Sequence, residues 1–517
     1  MESRLSEQTR SIERPSRAVL AALTVAVLVL AAKLALFLAF AAKAVRFPYE
    51  LDYGEGIVWQ QMLLMFDGRG YGAIDGLPAI VFHYPPVFHG LVMGTSKAFA
   101  LDPLAAGRLV SLAATLVAGA FVGLIAYRLA RREADRRTAT LSATAGGLIA
   151  LAFLPVSIWA PLMRVDMVAM ALSLAGLHCG LAALERPRMV LLAALCFVAA
   201  VYTKQTSLAA PAATFLVLLL VRPRTAFTGI AACLILGLAA LGALAWATDG
   251  GFLRHIFLYN INRFDTSRLI WIPQMAAAHM MFFAAVGVGL FAGLSGRFPA
   301  FRAERSLRAL RSDLAAPGGD GAFLMLLVYL LAATATLAMV AKSGASINYL
   351  IEWMLASAIF AGLGLAALAG RPKARRLALL LPLAVAFQAV LVPAEPGFAA
   401  AMTASRTREL EQLSAQIAAA SRPVISDDMV ILLRSGKEVQ WEPAIFAELA
   451  STGAWDERPF VERIRRREFA FFVTVGGRGS RLFDSRYTPA VADAIAAAYP
   501  VRRKIAGYIV HAPAQPF

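Results

Sequence analysis

The alternation of apolar and polar segments is the dominant feature of this chain. About eleven apolar stretches succeed one another, near 18–44, 104–129, 138–160, 163–184, 189–203, 206–221, 226–247, 273–294, 321–341, 348–369 and 376–393. A bilayer core about 30 Å thick takes about 20 apolar residues in a helix, so most of these predict membrane spans; the fifth and sixth are short for a full crossing. Beyond residue 394 the pattern changes. An amphipathic stretch around Thr407 to Ala420 is followed by strand-like runs at Pro423–Ser426 and Phe469–Val475, a helical pattern over Pro489–Ala498 and a closing run Tyr508–His511. The pattern predicts a polytopic α-helical membrane protein with about 11 transmembrane helices over 18–393. A basic N-terminal segment, 1–17, precedes them, and a small C-terminal α/β domain, 394–517, follows.

Composition agrees. The 517 residues are 59% hydrophobic and 16% charged, with a mean hydropathy of +0.65, values foreign to a soluble domain of this size. The net charge of +17 falls in short arginine blocks between spans, which marks topogenic charge and excludes a nucleic-acid face. Cys179, Cys196 and Cys233 lie inside apolar runs as small hydrophobes, so neither a disulfide framework nor a zinc site is indicated.

The charge blocks set the topology. Arg4, Arg10, Arg14 and Arg17 precede a first span too long for a signal-peptide core, which is read as retained. Arg128, Arg131, Arg132, Arg136 and Arg137 fall on the same side, as do Arg186 and Arg188, and Arg222 and Arg224. Arg297, Arg302, Arg305, Arg308 and Arg311, and Arg371, Lys373, Arg375 and Arg376, complete the set. That side is expected to be cytoplasmic, which places loop 45–103, the short turns at 161–162, 204–205 and 342–347, loop 248–272 and the C-terminal domain outside.

Candidate chemistry collects at those outer ends. Asp52 and Glu55 stand three apart just after the first span, so a helix starting there would carry both on one face. They suit a partly desolvated general base, and equally an N-cap with its capping-box partner. Further along the loop come Gly68–Tyr71 and His83-Tyr84-Pro85-Pro86. Arg164 and Asp166 open the fourth span, as a second acid with a cation beside it or as an interfacial anchor. Lys204, between two short spans, would meet an anion at headgroup depth or snorkel. Lys342, Asn348 and Tyr349 offer donors for phosphate and sugar hydroxyls, with Glu352 one turn inside the tenth span. Loop 254–268, which includes Arg263, is basic on the side that topology keeps poor in cations, which favours an anionic ligand.

Taken in order and sidedness, these residues resemble the polytopic glycosyltransferases of the GT-C superfamily, in the branch of protein mannosyltransferases and lipid A aminoarabinose transferases. The resemblance runs from the first span to about residue 393. An acidic motif in the first outer loop, a G-x-x-Y and a Tyr-Pro-Pro stretch look like Asp52–Glu55, Gly68–Tyr71 and Tyr84–Pro86. An Asp opening the fourth span is similar to Asp166, and a Thr-Lys motif to Thr203-Lys204. The Asp-Glu pair common in that family is replaced here by Asp52-x-x-Glu55, which leaves open which acid is the base. The resemblance implies a sugar donor linked to a polyprenyl phosphate and an acceptor hydroxyl on an envelope glycan, lipid or protein. It also implies an outer-loop base and inversion at the anomeric carbon. Asp52, Glu55 and Asp166 would handle acceptor and proton. Arg164, Lys204, Lys342, Asn348, Tyr349, Arg263, Tyr84 and His83 would bind donor phosphate and sugar. Metal dependence varies in the superfamily, so Mg or Mn stays open, although no metal-ligand set is seen and His83 stands alone. The location implied is a bacterial inner membrane with the site on the periplasmic face. A transporter or flippase for a lipid-linked or anionic solute is the alternative, and a catalytically silent scaffold subunit a third reading; a transporter predicts polar residues deep in several spans and two related halves, and neither pattern is visible.

Overall fold

A computed structural model describes residues 15–260, 262–303, 311–312, 314–315 and 320–514. Arg4, Arg10, Arg14, Arg305 and Arg308 lie outside the described residues, as do the side chains of Arg297 and Arg302. Helix α1, Arg17–Arg46, starts at Ser16, whose hydroxyl accepts from the Val19 amide. Two helices follow in the first loop, α2 (Gly54–Phe66) and α3 (Val87–Phe99). Next come α4 (Pro103–Ala130), capped by Asp102, and α5 (Arg136–Ala152), capped by Asp135. The short α6 (Leu154–Trp159) follows α5 after an extended Phe153, where Pro155 forbids an unbroken helix. Then come α7 (Asp166–Ala183), α8 (Met189–Val201), α9 (Ala209–Val221), α10 (Pro223–Ala247) and the short α11 (Gly251–Leu253). The series closes with α12 (Trp271–Ala278), α13 (Met280–Ala303), α14 (Gly321–Ala335), α15 (Ile351–Ala369) and α16 (Arg375–Leu391).

Among the described residues six helical segments are long and apolar enough to cross a bilayer, or seven if α12 and α13, bent by 85° at His279, count as one. The chain is therefore a multi-pass membrane protein. At 13 residues each, α8 and α9 reach only about 20 Å. Helix α15 is the centre of the bundle, with 94% of its apolar window buried. It packs on α13, α5 and α4 through small residues: a Cβ on Gly146 would sit 3.1 Å from the Ala358 carbonyl, and one on Gly289 2.0 Å from that of Phe360. Close backbone approach of this kind is how helices associate where apolar burial gives no advantage over lipid. Helix α10 is the opposite case, with none of its apolar window buried.

The C-terminal segment begins with α17 (Ala404–Ala419) and builds a four-stranded sheet in the order β1-β2-β4-β3. Its strands are β1 (Ile425–Ser426), parallel to β2 (Phe472–Thr474), and the antiparallel hairpin β3 (Val501–Ile505) and β4 (Tyr508–Ala512). Between and around them lie α18 (Met429–Arg434), α19 (Pro443–Ser451), α20 (Arg458–Arg465), α21 (Arg481–Arg486) and α22 (Pro489–Ala498). Its two apolar clusters are shared with the first loop: Phe47, Ile80 and Phe82 join Leu432 and Val473, while Ile74, Ala79 and Val81 join Trp441 and Phe460. The Ala79 amide donates to the Gln440 carbonyl at 2.8 Å, and Arg434 bonds both Asp102 and the Pro48 carbonyl. This segment thus roofs one end of the helical bundle.

Candidate active site

Beneath that roof, loop residues 47–55 are gathered by one cation. Arg108, a turn and a half into α4, is fully buried and reaches Glu55 through Nε (2.8 Å) and Nη2 (2.6 Å). Its other donors hold the carbonyls of Ala44, Phe47 and Tyr49. Glu55 also accepts from the amides of Leu51, Asp52 and Met163. Burial alone would raise the Glu55 pKa, but Arg108 and these amides outweigh it and hold it below the ordinary value. Glu55 therefore behaves as the capping-box partner extended into a buried ion pair, with both oxygens occupied.

Asp52 is placed differently. Its side chain is 28% exposed, and Oδ1 accepts from the Gly54 amide and from Arg164 Nη1, each at 3.1 Å. The Arg164 guanidinium crosses directly over Gly54, where a Cβ would fall 1.2 Å from Nη1. Burial raises the Asp52 pKa, with Arg164 opposing it. The result is a carboxylate both reachable and poised above the usual range, as proton abstraction from a hydroxyl requires.

A second network stands alongside. Asp166, first residue of α7, accepts from Lys204 Nζ (2.6 Å) and Asn348 Nδ2 (2.8 Å), both on Oδ1. Lys204 also lies 4.6 Å from the centre of the Tyr349 ring. Burial disfavours the Lys204 ammonium, but Asp166 and the Tyr349 and Tyr84 phenols outweigh it and its pKa is raised. Asp166, Lys204, Asn348 and Tyr349 line a narrow cavity with Thr206 and Glu352. Burial, foremost, raises the Tyr84 phenol, which also feels Arg164, Asp166 and Lys204 and so stands between the two networks.

Two other candidates face the C-terminal segment, and Lys342 does not. His83 Nε2 meets Glu442 at 3.0 Å, and Arg263, 64% exposed, lies 3.6 Å from Glu448. Lys342 is half-buried, its pKa lowered by burial and by Lys204; its carbonyl accepts from Arg268. The structure thus brings Asp52, Arg164, Asp166, Lys204, Asn348, Tyr349 and Tyr84 together, and sets His83 and Arg263 against Glu442 and Glu448. Arg108, Glu442 and Glu448 were not anticipated. Arg108 carried a signal, since an arginine inside an apolar span needs a buried anion; the glutamates carried none. Among the described residues no group of three or more His, Cys, Asp and Glu side chains could hold a metal ion.

No family model matches this sequence, and no curated protein sequence matches it. Solved structures do. ArnT from Cupriavidus metallidurans in the apo state superposes with a TM-score of 0.58 at 15% identity, over 94% of this chain and 97% of that one. The same protein bound to undecaprenyl phosphate gives 0.55 at 17% identity with the same coverage. The apo oligosaccharyltransferase of Archaeoglobus fulgidus gives 0.50 at 11% identity, over 86% of this chain and 69% of that one. This chain shares its fold with ArnT and with the archaeal oligosaccharyltransferase.

Proposed function

We propose that the protein is a membrane glycosyltransferase that moves a sugar from a polyprenyl-phosphate carrier to an acceptor hydroxyl on an envelope glycan, lipid or protein. The observation that carries this reading is the reachable Asp52 carboxylate held against Arg164 beside the Asp166–Lys204–Asn348 network, at one end of a GT-C fold. A similar structure, that of ArnT, holds undecaprenyl phosphate, which supports the donor class. With the arginine-rich turns on the cytoplasmic side by the positive-inside rule, this end would lie on the periplasmic face of a bacterial inner membrane.

In the reaction, the acceptor O–H gives its proton to Asp52, whose Oδ2 has no hydrogen-bond partner among the described residues. The acceptor oxygen bonds to the anomeric carbon as the bond from that carbon to the phosphate oxygen breaks, with inversion. The electron pair leaves on the lipid phosphate, which gains a negative charge. Arg164, whose Nε is buried without a partner among the described residues, is the cation best placed to meet it, with Lys342 and Arg263 nearer the rim. Lys204 is reassigned from phosphate binding to holding Asp166, because that carboxylate already occupies it.

The test is transfer from radiolabelled undecaprenyl-phosphate sugars in vesicles, run with Mg, with Mn and with chelator, comparing wild type with Asp52→Asn and Asp166→Asn. Loss of transfer in a folded acid variant is expected. Vesicles that move solute but transfer no sugar would instead select the transporter reading.

A further inference from the structure

Glu352 is the single charged residue of α15, one position into the most deeply buried helix of the bundle. A carboxylate in such a place is strongly disfavoured unless something satisfies it. The Tyr329 phenol of α14 faces Glu352, yet among the described residues Glu352 Oε1 is buried with no hydrogen-bond partner of good geometry, and so is Oδ2 of Asp166. Both residues line the same cavity, with Lys204, Thr206, Asn348 and Tyr349 among its other walls.

The charge balance of that cavity decides what fits. Its one cation, Lys204, is taken by Asp166 at 2.6 Å and by the face of Tyr349. Asn348 donates to Asp166 with its amide nitrogen, while its oxygen accepts from the Ser346 amide. What is left over is acceptor capacity on two carboxylates beside a remaining N–H on each of Lys204 and Asn348, a mixed lining in which the carboxylates carry the excess charge. A phosphate entering here would meet like charge on two sides. A hydroxyl, which brings a donor to each acceptor, would satisfy them. The cavity is narrow, so it admits the edge of a ring rather than a bulky anion.

We propose that Glu352 is a specificity-determining residue that, with Asp166, accepts hydrogen bonds from hydroxyl groups of the donor sugar and keeps the lipid phosphate out of this cavity. The proposal rests on the glycosyltransferase reading and adds to it a division of the donor site: phosphate on the Arg164 side, sugar hydroxyls between α7 and α15. A site built to pair a hydroxyl rejects the analogue that lacks it, since the buried acceptors are then left without a partner.

The experiment measures binding of undecaprenyl phosphate and of a panel of undecaprenyl-phosphate hexoses and pentoses to the full-length protein in nanodiscs. Wild type is compared with Glu352→Gln and Glu352→Leu, each checked by thermal unfolding. Expected is a loss of about ten- to hundredfold for the sugar-bearing lipid that wild type prefers, the range of one hydrogen bond to a charged group, with bare undecaprenyl phosphate unchanged. Preference across the panel should flatten in both variants, and in transfer assays KM should rise more than kcat falls. Equal losses for bare and sugar-bearing lipid, or no loss at all, in variants that melt like wild type would overturn the assignment and leave the wider reading standing. Wild-type protein that binds neither lipid would overturn both.

Discussion

Arg108 and Glu55, 53 residues apart in sequence, form a fully buried bidentate pair in which every N–H of the guanidinium is used. The pair ties the end of α1, the start of α2 and the loop before α7 to α4, and so fixes the ground on which Asp52 and Arg164 stand. Removing either partner leaves a buried charge unpaired, at a cost of about 3–5 kcal/mol. Arg108→Ala and Glu55→Ala should each lower the thermal midpoint strongly. The double variant should lose less than the sum, because neither charge is then stranded. Additive losses in unfolding experiments would show that the pair does not act as a unit.

Asp52 should report itself through pH. Its folded-state pKa lies above the ordinary carboxylate value, chiefly through burial, with Arg164 acting against that rise. A base must be ionised to work, so kcat/KM should climb as pH rises through this pKa and level off above it. Arg164→Gln removes the opposing cation, so the climb should move to higher pH, beside any loss in phosphate binding. Asp52→Asn should abolish the climb and lower kcat by about 10²- to 10⁴-fold with the melting temperature unchanged. A profile that stays in place in Arg164→Gln would assign the titration to another group.

Gly54 isolates the geometry from the charges. A methyl group there would occupy the position of Arg164 Nη1, so Gly54→Ala must push the guanidinium off Asp52. Gly90, exposed on α3 with nothing within 4 Å of a built Cβ, supplies the matched control. Gly90→Ala should be neutral or stabilising by up to about 1 kcal/mol, as in any exposed helix position. Gly54→Ala should lose most transfer activity. Equal activity in the two variants would show that the Asp52–Arg164 contact is dispensable.

How much of this was legible in the sequence follows from how local each feature is. The apolar stretches placed the helices within a few residues, because hydrocarbon burial is written into the run itself. The 85° bend at His279 was not, since nothing in that stretch marks where two apolar helices change direction. Strand β3 was missed because Val501–Ile505 carries three cations and lies exposed at the sheet edge. Its signal was the two-residue Ala506-Gly507 turn, with φ of 52° and 86°, a hairpin geometry that glycine favours. Within the site, Asp52, Arg164, Asp166, Lys204 and Asn348 were findable as polar residues at one set of helix ends. The division of labour between Asp52 and Glu55 was not, because it depends on Arg108 arriving from another helix. The pairing of His83 with Glu442 is likewise a property of the roof, and no local pattern announces it.

That roof yields the last expectation. Gly56, in the first turn of α2, lies against α18: a Cβ there would sit 2.5 Å from Cβ of Met429 and 2.6 Å from the Val430 amide nitrogen. Backbone cannot yield as a flexible side-chain tip can, so Gly56→Val should lift α18 from α2. Asp428 caps α18 and bonds the Tyr508 hydroxyl, and Arg486 lies 3.8 Å from the centre of the Tyr53 ring while pairing with Asp427. Displacement of α18 would therefore loosen the sheet from the loop that carries Asp52. The expected outcome is faster proteolytic cleavage between residues 394 and 403, together with loss of transfer activity, while the helical bundle keeps its far-ultraviolet dichroism. Cleavage at the wild-type rate would show that α18 does not need its close seat on Gly56.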